Sequence, residues 1–222
     1  MIKLLIIFVL LASPLFLILL NFLFPLGQYR LLFSAFAIFI LVERLWETFC
    51  TSKERNITKY GGDWTLVLTS LMYFFTCLVA LFEYFFLHRS INLFILVIGL
   101  TIYILSGLLR YWCVKILGEQ WAIHAVGESK ITAEKHILVR KGPYRYIRHP
   151  IYLGIILELV GIVLVYNSYY SMIVVLLINT PLYIQRAIYE EKSSIKRFGD
   201  EYLKFRREVP FMIPYKIFKF LR

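Results

Sequence analysis

The chain is expected to fold as an all-α polytopic membrane bundle that closes with a C-terminal helical hairpin. Three observations lead to this expectation. Mean hydropathy is +0.71 and 60% of the 222 residues are hydrophobic, a larger apolar share than soluble domains carry. Uncharged runs close to twenty residues recur along the sequence, the length that crosses a hydrocarbon core of ~30 Å. Lys and Arg are concentrated in alternate connecting segments, the charge asymmetry of a multi-pass protein.

The first uncharged run holds 26 residues between Lys3 and Arg30. A signal-peptide core has about 7–15, so this run is expected to stay as a span despite Ala12-Ser13-Pro14. The second span covers 31–49 and carries Glu43, Arg44 and Glu47 near its end. Those three read as a solvated or self-paired face. Spans three and four cover 64–82 and 90–109. The last apolar block, 151–185, has 35 residues with Glu158 its one charge. That is too long for one straight span and short for two. Tyr166-Asn167-Ser168-Tyr169-Tyr170 is a turn signal in its middle, so a tight hairpin with arms of about 16–17 residues is expected. After Arg186 the sequence reads as a short cytoplasmic helix followed by a Pro-bounded segment, with Phe211, Ile217, Phe218, Phe220 and Leu221 suited to the membrane interface.

Lys and Arg number four in 44–59, eight in 110–148 and ten from Arg186 onward. Six crossings would put these segments and the N-terminus on one side, the cytoplasmic side by the positive-inside rule. The net charge of +11 is therefore a topology signal beside anionic lipid, and no nucleic-acid partner is expected. Cys50, Cys77 and Cys113 lie far apart with no CxxC or Cys/His spacing. No disulfide framework is expected, and no metal site, since His124, His136 and His149 lack an accompanying carboxylate cluster. His124 and Trp121 read as interfacial packing.

The chemistry is concentrated in 136–152, a cationic stretch set between apolar helices. Gly142-Pro143 breaks a helix and lets the backbone approach a ligand closely. Arg148 offers a rigid fork of donors suited to a carboxylate. His149 can donate, accept or stay neutral at working pH. Pro150 is favoured at a first helical position, which makes His149 the cap of a membrane helix, where the dipole favours an anion. The plainer reading is an Arg-His pair that anchors the helix at the headgroups.

The pattern His136-x-Leu138-Val139-x-x-Gly142-Pro143-Tyr144-x-x-x-Arg148-His149-Pro150-x-Tyr152-x-Gly154 resembles the signature of the isoprenylcysteine carboxyl methyltransferase family. Glu190-Glu191, Phe198-Gly199-x-x-Tyr202 and Val209-Pro210 resemble its second block. The two blocks cover about 136–214. The resemblance implies an integral membrane enzyme using S-adenosyl-L-methionine, with N-terminal transmembrane helices over 1–109 and a methyltransferase region over 110–222 made of a cytoplasmic cofactor loop, the hairpin and a cytoplasmic tail. It implies cofactor contacts from His136, Leu138, Val139, Gly142, Tyr144, Arg148, His149 and Tyr152, with Glu190 or Glu191 as the polar partner from the tail. The implied acceptor is lipophilic and reached from membrane lipid, either an isoprenylcysteine-like carboxyl or a lipidic phenol or enol.

Methyl transfer from a sulfonium needs in-line positioning and exclusion of water. A carboxylate acceptor needs no base, whereas a phenol, enol or amine does. Arg148 and Glu158 are the catalytic candidates. A carboxyl inside a membrane helix is a functional hypothesis by default. Glu158 lies about as far from the hairpin turn as Asn179 does on the other arm, so an interarm hydrogen bond is the structural alternative. Two rival functions remain. One is an NADPH-dependent sterol-type reductase, which shares the Arg-His-Pro-x-Tyr-x-Gly pattern. The other is a non-enzymatic small transporter or assembly factor, for which a polar path of Glu158 and Asn179 alone is thin.

Overall fold

The computed structural model describes residues 29–49, 64–87, 90–118 and 137–214, with scattered positions before them. Among these residues all regular structure is helical. His136, His124, Trp121 and Cys50 lie outside the described residues, as do most of the first expected span and Phe218 and its neighbours.

Helix α1 runs Arg30–Phe49, α2 Trp64–Phe86 and α3 Leu93–Leu117. After the 3-10 turn Gly142–Arg145, α4 runs Pro150–Val165. The return arm α5 runs Tyr169–Phe198, and a short α6 runs Asp200–Glu208. Three stretches are long and apolar enough to cross a membrane, namely Val67–Phe86, Leu93–Leu117 and Tyr169–Phe198; Pro150–Val165 is a shorter apolar helix. Large apolar side chains such as Phe94, Val97, Leu105, Leu108 and Leu177 point outward. In lipid that surface is matched to its solvent, and the chain is an integral membrane protein.

Helices α3 and α4 pack most closely. Without a hydrophobic drive between helices in lipid, small residues decide where backbones meet. A Cβ on Gly161 would stand 2.9 Å from both the Tyr103 amide nitrogen and its Cβ, and one on Gly99 would stand 2.7 Å from the Val165 nitrogen. A Cβ on Gly154 would stand 2.6 Å from Arg110 Cγ. Gly154 thus leaves the groove in which the Arg110 side chain crosses α4.

The end of the bundle away from the 137–149 loop is closed by polar caps. Asn92 caps α3 by accepting from Phe94 N at 3.0 Å. The hairpin turn is Tyr166-Asn167-Ser168, with Asn167 at φ 54°, a conformation Asn tolerates. Asn167 Oδ1 accepts from Asn92 N at 2.9 Å, and Ser168 Oγ donates to Ala80 O at 2.8 Å. The buried Glu83 carboxylate accepts from Tyr170 N at 3.1 Å and Ser171 N at 2.9 Å. A carboxylate at the first turn of α5 satisfies otherwise orphaned amides and meets the positive helix end.

Two expectations change here. The return arm does not stop near Gln185 but continues to Phe198. Its charged last turns pack under the tail, so the polar composition after Arg186 ends the membrane-like stretch without ending the helix. The bond expected between Glu158 and Asn179 does not form. Asn179 Nδ2 donates to Thr76 Oγ1 at 2.6 Å. Asn179 closes a π-helical turn, Val175–Asn179, just before Thr180-Pro181. Pro181 has no amide to give the preceding turn, and the wider turn rotates Asn179 onto α2.

Gly161→Ala is expected to destabilise the protein by about 1–3 kcal/mol through forced separation of α3 and α4. Gly107→Ala is the control, because its Cβ would meet Glu43 Oε1 at an ordinary 3.4 Å. Unfolding in mixed micelles checks this; equal stability of the two variants would contradict the close-approach account.

Candidate active site

The loop before α4 is tied to the tail after α6 through Arg148. Its amide donates to Pro210 O at 2.9 Å and Phe211 O at 3.1 Å, and the His149 amide donates to Phe211 O at 3.1 Å. The Arg148 side chain donates from Nε to Glu191 Oε1 at 2.6 Å and from Nη1 to Arg206 O at 2.8 Å and to Val209 O. Its guanidinium lies 5.5 Å from the centre of the Phe211 ring. His149 Nε2 lies 3.2 Å from the same Glu191 oxygen, and Arg206 Nε lies 3.4 Å from the other. One buried carboxylate therefore gathers three basic groups from the loop and the tail. His149 caps α4 by position, with Pro150 following and no side-chain bond to the helix amides.

Above this tie lies a cavity of about 280 Å³, near the lower end of small-molecule sites. Leu138, Val139, Tyr144, Arg148, His149 and Tyr152 line it from the loop and α4. Tyr183, Arg186, Glu190, Ser193, Ser194 and Arg197 line it from α5, and Tyr202 and Phe205 from α6. Tyr152 donates to Glu190 Oε1 and accepts from Arg186 Nε at 2.9 Å. Arg186 Nη1 reaches Thr65 Oγ1 on α2 at 3.0 Å. Burial pushes the Tyr144 hydroxyl well above the usual phenol range, with Cys113 and Glu190 adding to the shift. Burial raises Tyr202 as well. Both stay neutral donors at working pH.

The other wall comes from the first two described helices, through Arg44, Glu47, Thr69, Ser70 and Tyr73. Arg44 and Glu47 belong to a buried ion cluster. Glu158 is fully buried on α4 and accepts from Arg44 Nη2 and Arg110 Nη1. Tyr73 Oη donates to Glu158 Oε1 at 2.6 Å. Glu47 pairs with Arg44 at 2.8 Å and with Arg110. Glu43 lies 3.2 Å from Arg110 Nη1 and accepts from Tyr103 Oη at 2.5 Å.

The expected residues therefore separate. Leu138, Val139, Tyr144, Arg148, His149, Tyr152 and Glu190 meet at the cavity. Of the acidic pair, Glu190 faces it, while Glu191 is turned into the Arg148 tie. Gly142 does not line it: at φ 56° its α-carbon packs against α3, where a Cβ would stand 2.9 Å from Ile116 and 3.2 Å from Trp112. Glu158 does not line it either, because Arg44 and Tyr73 stand between. Glu43, Arg44 and Glu47 are not a solvated face: Arg44 and Glu47 pair with each other, and the group as a whole is built into the bundle. Sequence reasoning missed Arg44, Tyr73, Arg110 and Arg186 as site-forming. The available signal was charge balance. Arg44 and Arg110 inside helices require buried partners, and Glu158 was one.

A family described as the isoprenylcysteine carboxyl methyltransferase (ICMT) family matches residues 97–196. A protein-S-isoprenylcysteine O-methyltransferase of Schizosaccharomyces pombe is 34% identical over 90 residues, 39% of this chain and 38% of that protein. The Bacillus subtilis protein YpbQ is 30% identical over 144 residues, 64% of this chain and 80% of YpbQ. Protein-S-isoprenylcysteine O-methyltransferase B of Arabidopsis thaliana is 30% identical over 118 residues, 53% of this chain and 58% of that enzyme. The chain thus covers less than two thirds of each of these two named methyltransferases. The family match begins within α3, so α1 and α2 lie outside it.

Arg148→Lys keeps the charge but loses the fork that reaches Glu191 and two tail carbonyls. Charge-assisted bonds of this kind contribute about 1.5–3 kcal/mol. Trypsin cleavage around Arg206-Arg207 should accelerate about tenfold or more. Unchanged cleavage would contradict the clamp.

Proposed function

Since this chain belongs to the isoprenylcysteine carboxyl methyltransferase family, we propose that it moves a methyl group from S-adenosyl-L-methionine to an oxygen of a lipophilic acceptor drawn from the membrane. The observation that carries this reading is a cavity bounded by both sequence blocks, 138–152 and 190–205, whose loop and tail are tied by the Arg148–Glu191 pair. The residues fit the cofactor. Leu138, Val139, Phe198 and Phe205 offer an apolar wall for an adenine. Glu190, Ser193 and Ser194 offer acceptors and donors for ribose hydroxyls and an α-amino group. The Tyr144, Tyr152 and Tyr183 rings are available for a sulfonium, at about 1 kcal/mol per cation–π contact. When bound, the cofactor supplies an electrophilic methyl.

The protein's own contribution is positional. Arg148 fixes the loop against the tail, so Leu138, Val139 and Tyr144 stand opposite Glu190. Arg186 orients the Tyr152 hydroxyl, which is itself donated to Glu190. Water exclusion strengthens these contacts. The acceptor would enter from the lipid side toward Arg44 and Tyr73, its chain remaining among apolar helices. An isoprenylcysteine carboxyl and a lipidic phenol or enol both satisfy that description. The loop, tail and cofactor are assigned to the cytoplasmic face, on the strength of the Lys and Arg distribution.

Calorimetric titration of the detergent-purified protein tests the reading. S-adenosylhomocysteine is expected to bind saturably and NADPH not at all. Binding of NADPH alone would move the cavity to reductase chemistry. Glu190→Gln should weaken S-adenosylhomocysteine about tenfold, the loss of a charged hydrogen bond, and unaltered affinity would remove Glu190 from the site.

A further inference from the structure

The ion cluster beside the cavity is not balanced. Three carboxyls, on Glu43, Glu47 and Glu158, face two guanidiniums, on Arg44 and Arg110. Fully ionised, the set carries one negative charge inside the bundle. Helix α2 brings Tyr73 and Cys77, α3 brings Tyr103, and α5 brings Tyr183. Arg186 on α5 is turned toward Tyr152 and Thr65. No third cation reaches the three carboxyls among the described residues. An unbalanced charge in such a setting is costly, and one proton held among the three carboxyls at rest would remove it.

Two features connect this cluster to the cavity. Tyr73 lines the cavity and donates to Glu158 at 2.6 Å. Arg44 also lines it, is 4% exposed, and its buried Nε makes no hydrogen bond. Cavity and cluster therefore share a wall with a hydroxyl relay and an unused donor.

We propose that Glu43, Arg44, Glu47, Arg110 and Glu158 form a one-proton store that opens on the cavity through Tyr73 and accepts the proton of a hydroxyl-bearing acceptor. The proposal rests on the methyltransferase reading above and selects the phenol or enol class within it. Methylation of a neutral hydroxyl by a sulfonium releases one proton, and the store can take it once binding of the cationic cofactor has displaced the proton held at rest. The acceptor oxygen forms its bond to the methyl carbon as the carbon–sulfur bond breaks, the sulfur keeping the electron pair. The acceptor's proton passes to Tyr73 Oη while the Tyr73 proton passes to Glu158. Cationic cofactor and ionised store neutralise each other before transfer. Neutral sulfide and protonated store remain afterwards.

Cofactor binding alone reads this out. S-adenosylmethionine and S-adenosylhomocysteine differ in the sulfonium charge and its methyl group. Calorimetry of the full-length protein in two buffers of different ionisation enthalpy should show about one more proton released by S-adenosylmethionine than by S-adenosylhomocysteine. Glu158→Gln or Glu43→Gln leaves two carboxyls against two guanidiniums, and either should abolish the difference while S-adenosylhomocysteine still binds. No difference in the unsubstituted protein overturns the store, as does a difference that survives both substitutions. In a second arm with 4-dodecylphenol as acceptor, Tyr73→Phe should lower kcat about 100-fold with KM unchanged. Failure of the unsubstituted protein to methylate that phenol, or equal rates in the variant, overturns the relay. Failure to bind S-adenosylhomocysteine at all would instead overturn the methyltransferase reading.

Discussion

Glu158 is the constraint on which the rest of the bundle depends. A carboxylate with no exposed surface in the middle of an apolar helix costs several kcal/mol in desolvation unless opposite charge surrounds it. Arg44 from α1 and Arg110 from α3 meet it from two sides, and Tyr73 from α2 gives it a hydroxyl. Four helices are thereby fixed in register by one side chain. Apolar packing in lipid specifies rotation and depth only weakly, because lipid competes for the same surface. A buried charge set has few acceptable arrangements, so it supplies the specificity that packing lacks. The glycines serve the same end: Gly154 leaves room for Arg110 to cross α4, and Gly99 and Gly161 let the two backbones close around it.

That register decides where the cavity lies. The ion cluster holds Arg44 and Tyr73 on one wall, and the Arg148–Glu191 pair holds the loop and tail on the other. The two walls have different origins. The loop and the hairpin lie within the segment that matches the family, whereas α1, α2 and α6 lie outside it. A site divided in this way suits a reaction with one constant reactant and one variable one. In the proposed function, the wall bearing the shared pattern would face the cofactor and the wall outside it would set the acceptor.

Much of this was legible in the chain. Uncharged runs located α2, α3 and the hairpin, because the bilayer imposes a length on its helices. Tyr166-Asn167-Ser168 announced the turn, since Asn accepts the positive φ found there. The continuity of α5 was hidden, because helix propensity persists after hydropathy falls and Lys192, Lys196 and Arg197 marked only the end of the apolar stretch. The ion cluster was hidden for a different reason. Glu43, Arg44 and Glu47 stand near one end of an apolar run and Arg110 just past the end of another, which is also how solvated interfacial charges look. Arg44 and Arg110 reach Glu158 across 114 and 48 residues, a separation no local pattern can register. The sequence motif likewise could not say that Arg148 is largely occupied by the tail, or which of Glu190 and Glu191 turns inward.

A double-mutant cycle on Arg110 and Glu158 tests the central claim most directly. Stability would be measured by unfolding in mixed micelles for Arg110→Met, Glu158→Met and the double variant. If this pair sets the register, each single change strands buried partners, Arg110→Met taking one guanidinium from Glu158 and Glu158→Met taking the shared acceptor from Arg44 and Arg110, and costs about 3–5 kcal/mol. The double variant should then lie well above the sum of the singles, with a coupling of about 2 kcal/mol or more. Additive losses would mean that the two side chains act independently, and the cluster could not be what holds the helices and the cavity in place.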